Sequence, residues 1–252
     1  MTTTAAIRSE WTKFWSVRST FWGLAGAIVL MLVFVLPSAM SLAANRSRAG
    51  SAPDLVAGGT FYLAEFAVIA LASLFVAGEY ATGSIRSTLQ WVPVRARVLT
   101  AKAAVLAPVL FVLGVVAAAG AIAVATPLMD GFGRAASAGE IIQACVANGT
   151  YFALTGLLSL GIGTALRSVA GSATVSFLVM VMSAMVAGSL GLGVADYMPG
   201  IAGVTAFVPS GQPNPVSGAM APYPSWAGLV ILAVWTAAAL AVGHEVLRRR
   251  DA

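Results

Sequence analysis

The chain has 252 residues, of which 59% are hydrophobic and only 9% charged, and its mean hydropathy is +0.91. A soluble domain carries roughly 25% charged residues, so this composition cannot build a water-facing surface. The net charge of +5 does not point to nucleic acid, because the cations stand in short segments between long apolar runs, and the single Cys145 excludes a disulfide framework and a CxxC redox motif.

Along the chain, Ile7, Trp11, Phe14 and Trp15 gather on one helical face, with Arg8, Glu10, Lys13 and Ser16 on the other. This pattern predicts an amphipathic helix in the inner headgroup layer, its indoles at the apolar boundary and its cations toward lipid phosphates. The first long apolar run, 20–44, exceeds the roughly 7 to 15 residues of a signal-peptide core and is expected to remain as an anchor. Further runs at about 55–78, 103–126, 141–166, 169–192 and 226–243 each suffice for one crossing. The expected fold is therefore all-α: one polytopic membrane domain over 1–252 with six transmembrane helices.

Placing the amino terminus inside puts Arg8, Lys13, Arg18, Arg86, Arg95, Arg97, Lys102, Arg167, Arg248, Arg249 and Arg250 in the cytoplasm, which is 11 of 14 basic residues. Only Arg46, Arg48 and Arg134 then face outward. The anionic inner leaflet and the membrane potential favour that arrangement, with both termini cytoplasmic in the cell membrane. Between the fifth and sixth runs, 193–225 holds six prolines, yet 201–208 stays apolar. A re-entrant extracellular hairpin, its backbone buried against protein, accounts for both features, and an irregular apolar loop is the plainer alternative.

The stretch between the second and third runs reads Gly78-Glu79-Tyr80-Ala81-Thr82-Gly83-Ser84-Ile85-Arg86-Ser87-Thr88-Leu89, followed by Pro93-Val94-Arg95-Ala96-Arg97. Thr82 can cap a short helix over 84–89 that shows Ile85 and Leu89 on one side with Arg86 beside them, and Pro93 ends it. The segment closely resembles the permease subunits of the ABC-2 exporter family, whose actinobacterial members carry E-Y-x-x-G-(T/S)-I-R at the cytoplasmic end of the second span. Ile7-Arg8-Ser9-Glu10-Trp11-Thr12-Lys13, Val17-Arg18-Ser19-Thr20 and Arg249-Arg250-Asp251-Ala252 agree with the same family.

The resemblance implies that Glu79, Tyr80, Thr82, Gly83, Ile85, Arg86 and Leu89 form a coupling helix seated on a separate ATPase subunit. That partner, and not this chain, would bind ATP and Mg; no G-x-x-x-x-G-K-(S/T) occurs here, and the chain itself is expected not to be an enzyme. A second permease copy would complete a homodimer, and the expected cargo is lipophilic or amphiphilic. For Glu79 two roles stay open: structural or gating at the membrane boundary, or a helix-end carboxylate paired with a nearby arginine.

Glu65 is the one ionisable residue deep in a span and should face the bundle interior or water, because leaving it in lipid costs about 2.5 to 3.5 kcal/mol. It either meets a cationic substrate or protons, or stands neutral or wet near the outer headgroups. Asn148 and Thr150 are weaker candidates for the same path, since such residues often bond between helices. The competing functional class is an ion-gradient-driven transporter or channel, although the halves show no internal repeat. His244 lies beside Glu245 at a helix end, with no serine placed for a protease dyad, and Gly131-Phe132-Gly133-Arg134 follows no strand, so neither marks a catalytic or nucleotide site. No metal site is expected.

Overall fold

The computed structural model describes residues 2–45, 50–81, 83–84, 95–191 and 193–249, and among them the chain is helical with no strand. Helix α1 (Thr3–Ser16) precedes six helices long and apolar enough to cross a membrane: α2 (Arg18–Ala44), α3 (Ala52–Ala81), α4 (Arg95–Leu128), α5 (Ala138–Leu166), α6 (Val169–Ser189) and α8 (Ser225–Arg249). A short α7 (Pro199–Thr205) lies between the last two. The chain is thus a multi-pass membrane protein with the six spans that hydropathy predicts. The expected 103–126 run starts two turns earlier, at Arg95, and this places Lys102 inside a helix and not in a polar connection.

Helix ends follow local chemistry. At the start of α3 the Asp54 carboxylate accepts from the Ser51 backbone N–H at 2.6 Å and from the Ser51 hydroxyl at 2.8 Å. At the start of α5, the Ser137 hydroxyl accepts from the Glu140 N–H at 3.3 Å while Glu140 accepts from the Ser137 N–H at 2.7 Å, a reciprocal capping box. Arg167, with φ of 57°, closes α5 in the left-handed region so that α6 starts two residues later; Ser168 caps it by accepting from the Gly171 N–H. The fourth and fifth spans therefore form a tight hairpin.

Helix α5 is the hub, packing on α3, α4, α6 and α8. Its buried share is 61%, against 22% for α2 and for α8, which turn most of their surface outward to where lipid would lie. In α2 beyond Thr20 only every fourth residue is buried, Ala27, Met31, Val35 and Ala39, while Phe21, Trp22, Val29 and Val33 stay exposed. Glycines set the closest crossings: a Cβ on Gly114 would stand 2.7 Å from the Gly149 Cα, and one on Gly243 would stand 2.5 Å from the Gly161 carbonyl oxygen. Gly120, by contrast, meets nothing within 4 Å.

Two π-helical turns interrupt the spans, Thr60–Ala64 in α3 and Leu178–Met182 in α6. Both touch α7, whose seven residues are all buried. The backbone around α7 is satisfied from within: Gln143 donates to the Ala206 and Val208 carbonyls, and Asn214 donates to the Ile201 carbonyl and the Thr205 hydroxyl. This internal bonding lets an irregular connection pack against the bundle without stranding polar groups.

Candidate functional site

The end of the bundle that gathers Tyr80, Leu99, Lys102, Thr164 and Leu247 around one small cavity also carries α1. Val17 alone is extended between α1 and α2, and the Thr20 hydroxyl donates to the Phe14 carbonyl at 2.6 Å to fix the turn. Along α1 the residues facing the bundle are Ala6, Glu10 and Phe14, spaced four apart. Phe14 meets Phe75 edge-on, with ring centroids 5.1 Å apart.

This corrects the expected faces of α1. Glu10, assigned to the polar side that meets lipid phosphates, is buried, and so is Phe14, assigned to the apolar boundary, while Trp11 is 48% exposed, as an indole at that boundary would be. The reason is Lys102 on α4, which offers Glu10 a partner inside the protein that no headgroup could match. Ile7 and Trp15 are half-buried against the core, and Arg8 points outward.

Lys102, 2% exposed, donates to Glu10 Oε2 at 2.7 Å and to Glu79 Oε1 at 2.8 Å, and its ammonium sits 4.5 Å from the centroid of the Phe75 ring. Lys13 donates to Glu10 Oε1 at 2.8 Å and to Glu79 Oε1 at 3.1 Å. Two cations and two anions thus form a charge square that binds α1, the end of α3 and the first third of α4 together. Burial works against the Lys13 ammonium, but the hydrogen bond and charge of Glu10, then those of Glu79, outweigh it, so Lys13 holds its proton more firmly than a free lysine.

Of the two roles open for Glu79, the paired one is present, with Lys13 and Lys102 as its partners among the described residues. Tyr80 lies beneath Arg167, whose guanidinium carbon is 5.4 Å from the ring centroid. Gly83 turns the chain with φ of 73°, its N–H reaching the Tyr80 carbonyl. Thr82, Ile85, Arg86 and Leu89, with the helix expected over 84–89, lie outside the described residues apart from Ser84, which sits in a turn. A cleft of about 430 Å³ opens between α1, the base of α2 and the base of α3, walled by Phe14, Leu71, Leu74 and Phe75 with Lys13 and Glu79.

The second polar constellation lies deep in the bundle. Glu65, near the middle of α3, is fully buried and accepts the Tyr151 hydroxyl at 2.5 Å on Oε2. Asn148 is also fully buried, but it is a helix-to-helix staple: its carbonyl oxygen accepts from Thr60 at 2.7 Å and its amide donates to the Gly114 carbonyl at 2.8 Å. Thr150 donates to the Val146 carbonyl one turn back in its own helix. Asn148 thus bonds between helices one turn from Tyr151, while Thr150 bonds within its own helix. Asn148→Ala is expected to lower thermal stability by about 0.6–2 kcal/mol, the usual range for an interhelical bond, with Thr150→Ala near neutral; equal unfolding temperatures for the two variants in detergent would contradict this assignment.

Sequence reading missed Glu10, Lys102 and Tyr151. The available signal was scarcity: at the strongly basic end only Glu10, Glu79, Glu245 and Asp251 are acidic, so any structured acid there has a cation to find. The chain matches no family model, and no match to a curated protein was found.

Proposed function

We propose that this chain is the membrane-spanning permease subunit of an ATP-binding-cassette exporter in the cell membrane, with its basic end cytoplasmic. Two copies would enclose a path for a lipophilic or amphiphilic cargo, and separate ATPase subunits would bind ATP and Mg. One observation carries the reading: the Glu10–Lys13–Glu79–Lys102 square grips both sides of segment 82–94 and fastens them to α1. A segment mounted in this way can pass a rigid-body push from a partner into the spans, which a loop hung on mobile ends cannot. The sequence motif over Glu79–Arg86 supports the same role, as coupling helix. The buried, internally bonded α7 supports a re-entrant element between the last two spans, on the outer side.

Gentle-detergent purification of the tagged chain should recover an ATPase subunit, and Arg86→Glu should release it by opposing the expected contact. Recovery of no ATPase by the unsubstituted chain would remove the reading. Glu65 favours a second reading, an ion-gradient-driven transporter, because a carboxyl buried in mid-span is the usual seat of a coupling ion. Flux that survives ATP depletion and collapses with the proton gradient would select it.

A further inference from the structure

The polar interior of the bundle does not stop at Glu65. Its Oε1 has no hydrogen-bond partner among the described residues, nor do the hydroxyls of Thr155, Ser159 and Ser176, and all four residues are fully buried. Buried polar atoms in native proteins rarely stay unpaired, and internal water is their usual partner.

These atoms share one register. On α5, Tyr151, Thr155 and Ser159 follow at four-residue spacing, so they lie along one face. On α3, Glu65 and Ser73 are eight residues apart, two turns or about 12 Å along the helix. The two helices are bridged at both levels: Glu65 to Tyr151 above, and below, Ser73 to Ser172 at 3.0 Å with Ser172 donating to the Ser159 carbonyl at 3.3 Å. The lower bridge lies in the first turn of α6, four residues from Ser168 at the basic end, and Ser176 stands one turn deeper. The unpaired hydroxyls therefore fall between two cross-links, on helices that pack against one another.

We propose that α3, α5 and α6 enclose a hydrated seam, open toward Arg167 and ending at Glu65, which makes this carboxyl a proton-exchange site. Tyr151 faces the carboxyl from α5, whose other ionisable groups are Glu140, held at the helix start by Ser137 and Arg134, and Cys145; α6 and α7 carry only apolar and hydroxyl side chains, residues 19–44 of α2 carry no ionisable group, and α4 brings only Lys102, held in the charge square, with Arg95 and Arg97 at its start. Asp54 and Glu79, at the two ends of α3, are bound to Ser51 and to lysines, and Tyr62 faces outward. Glu65 therefore has a single ionisable neighbour and one route to water. Such a seam follows from packing alone and does not require an ATPase.

The single native cysteine makes the test direct. In a Cys145→Ser background, T155C, S159C and S176C are treated in sealed vesicles of each orientation with Ag⁺, a probe close to water in size, and unreacted thiols are then counted after denaturation. The three thiols should react at least about tenfold faster than L160C, a fully buried apolar control, because only a wetted thiol reaches its reactive thiolate. Reaction should come from the side on which an Arg167→Cys thiol reacts, while T60C, beyond Glu65, stays protected. Seam thiols as slow as L160C from both sides, or reactive only from the opposite side, overturn the proposal. Radiolytic hydroxyl footprinting of the unsubstituted protein needs no variant: Tyr151 should be oxidised by adjacent internal water, and an unmodified Tyr151 refutes the seam.

Discussion

Lys102→Met is expected to destabilise the protein by about 3–5 kcal/mol, the scale for removing one partner from a buried ion pair and leaving the other uncompensated. Here two carboxylates, Glu10 and Glu79, lose their buried cation together, and Lys13 cannot replace it because its ammonium already bonds both and 38% of its side chain is exposed. Lys13→Ala should therefore cost no more than about 1 kcal/mol, as exposed pairs do. Adding Glu10→Gln and Glu79→Gln to Lys102→Met should recover most of the loss, since no buried carboxylate is then left to compensate and the one remaining charge, Lys13, has 38% of its side chain exposed. Thermal unfolding of the purified chain in detergent reads all four proteins. Equal losses for the Lys13 and Lys102 variants would mean that the square is a surface feature and not a buried joint.

The comparison also tests the functional reading, because the two lysines differ in what they join. Lys102 ties α4 to both α1 and α3, so its loss should uncouple segment 82–94 from the spans even in protein that still folds at low temperature. The expected sign is ATPase activity of the assembled complex that no longer responds to transported compound, with the partner still bound.

Why hydropathy found the spans and missed the square follows from what each depends on. A crossing is a property of some twenty consecutive residues in one solvent, so the runs at 20–44 and 169–192 declare themselves locally. The contact between Glu10 and Lys102 joins residues 92 positions apart, and no periodicity within α1 announces it. Considered alone, Ile7, Trp11, Phe14 and Trp15 make the better apolar face; packing chose Ala6, Glu10 and Phe14 because Phe75 and Lys102 stood opposite. Glu65 was legible for the opposite reason, since a lone carboxyl inside an apolar run has no local explanation. Its partner Tyr151 was not, because an aromatic residue in a span ordinarily needs none.

Gly200→Ala should be among the most damaging small substitutions in the half of the bundle that holds α7. A Cβ there would lie 2.0 Å from the Met180 carbonyl oxygen, in the π-helical turn of α6, and 2.9 Å from the Phe61 ring in that of α3. Both α7 and α6 present backbone at this contact, so no side chain can swing aside, and overpacking of this kind costs about 1–3 kcal/mol or more. Against that stands a gain of at most about 1 kcal/mol from replacing glycine with alanine in a helix, so the net effect is a loss. Gly120→Ala isolates the propensity term: that position is exposed with nothing within 4 Å, and the variant should match or slightly exceed the unsubstituted stability. Displacing α7 would also strand Asn214 and Gln143, whose amides now satisfy its end, so the effect should spread beyond the methyl group. Limited proteolysis reads that spread as new cleavage within 193–225 in the Gly200 variant alone. Identical digestion patterns for the Gly200 and Gly120 variants would show that α7 is not wedged between the two π-turns.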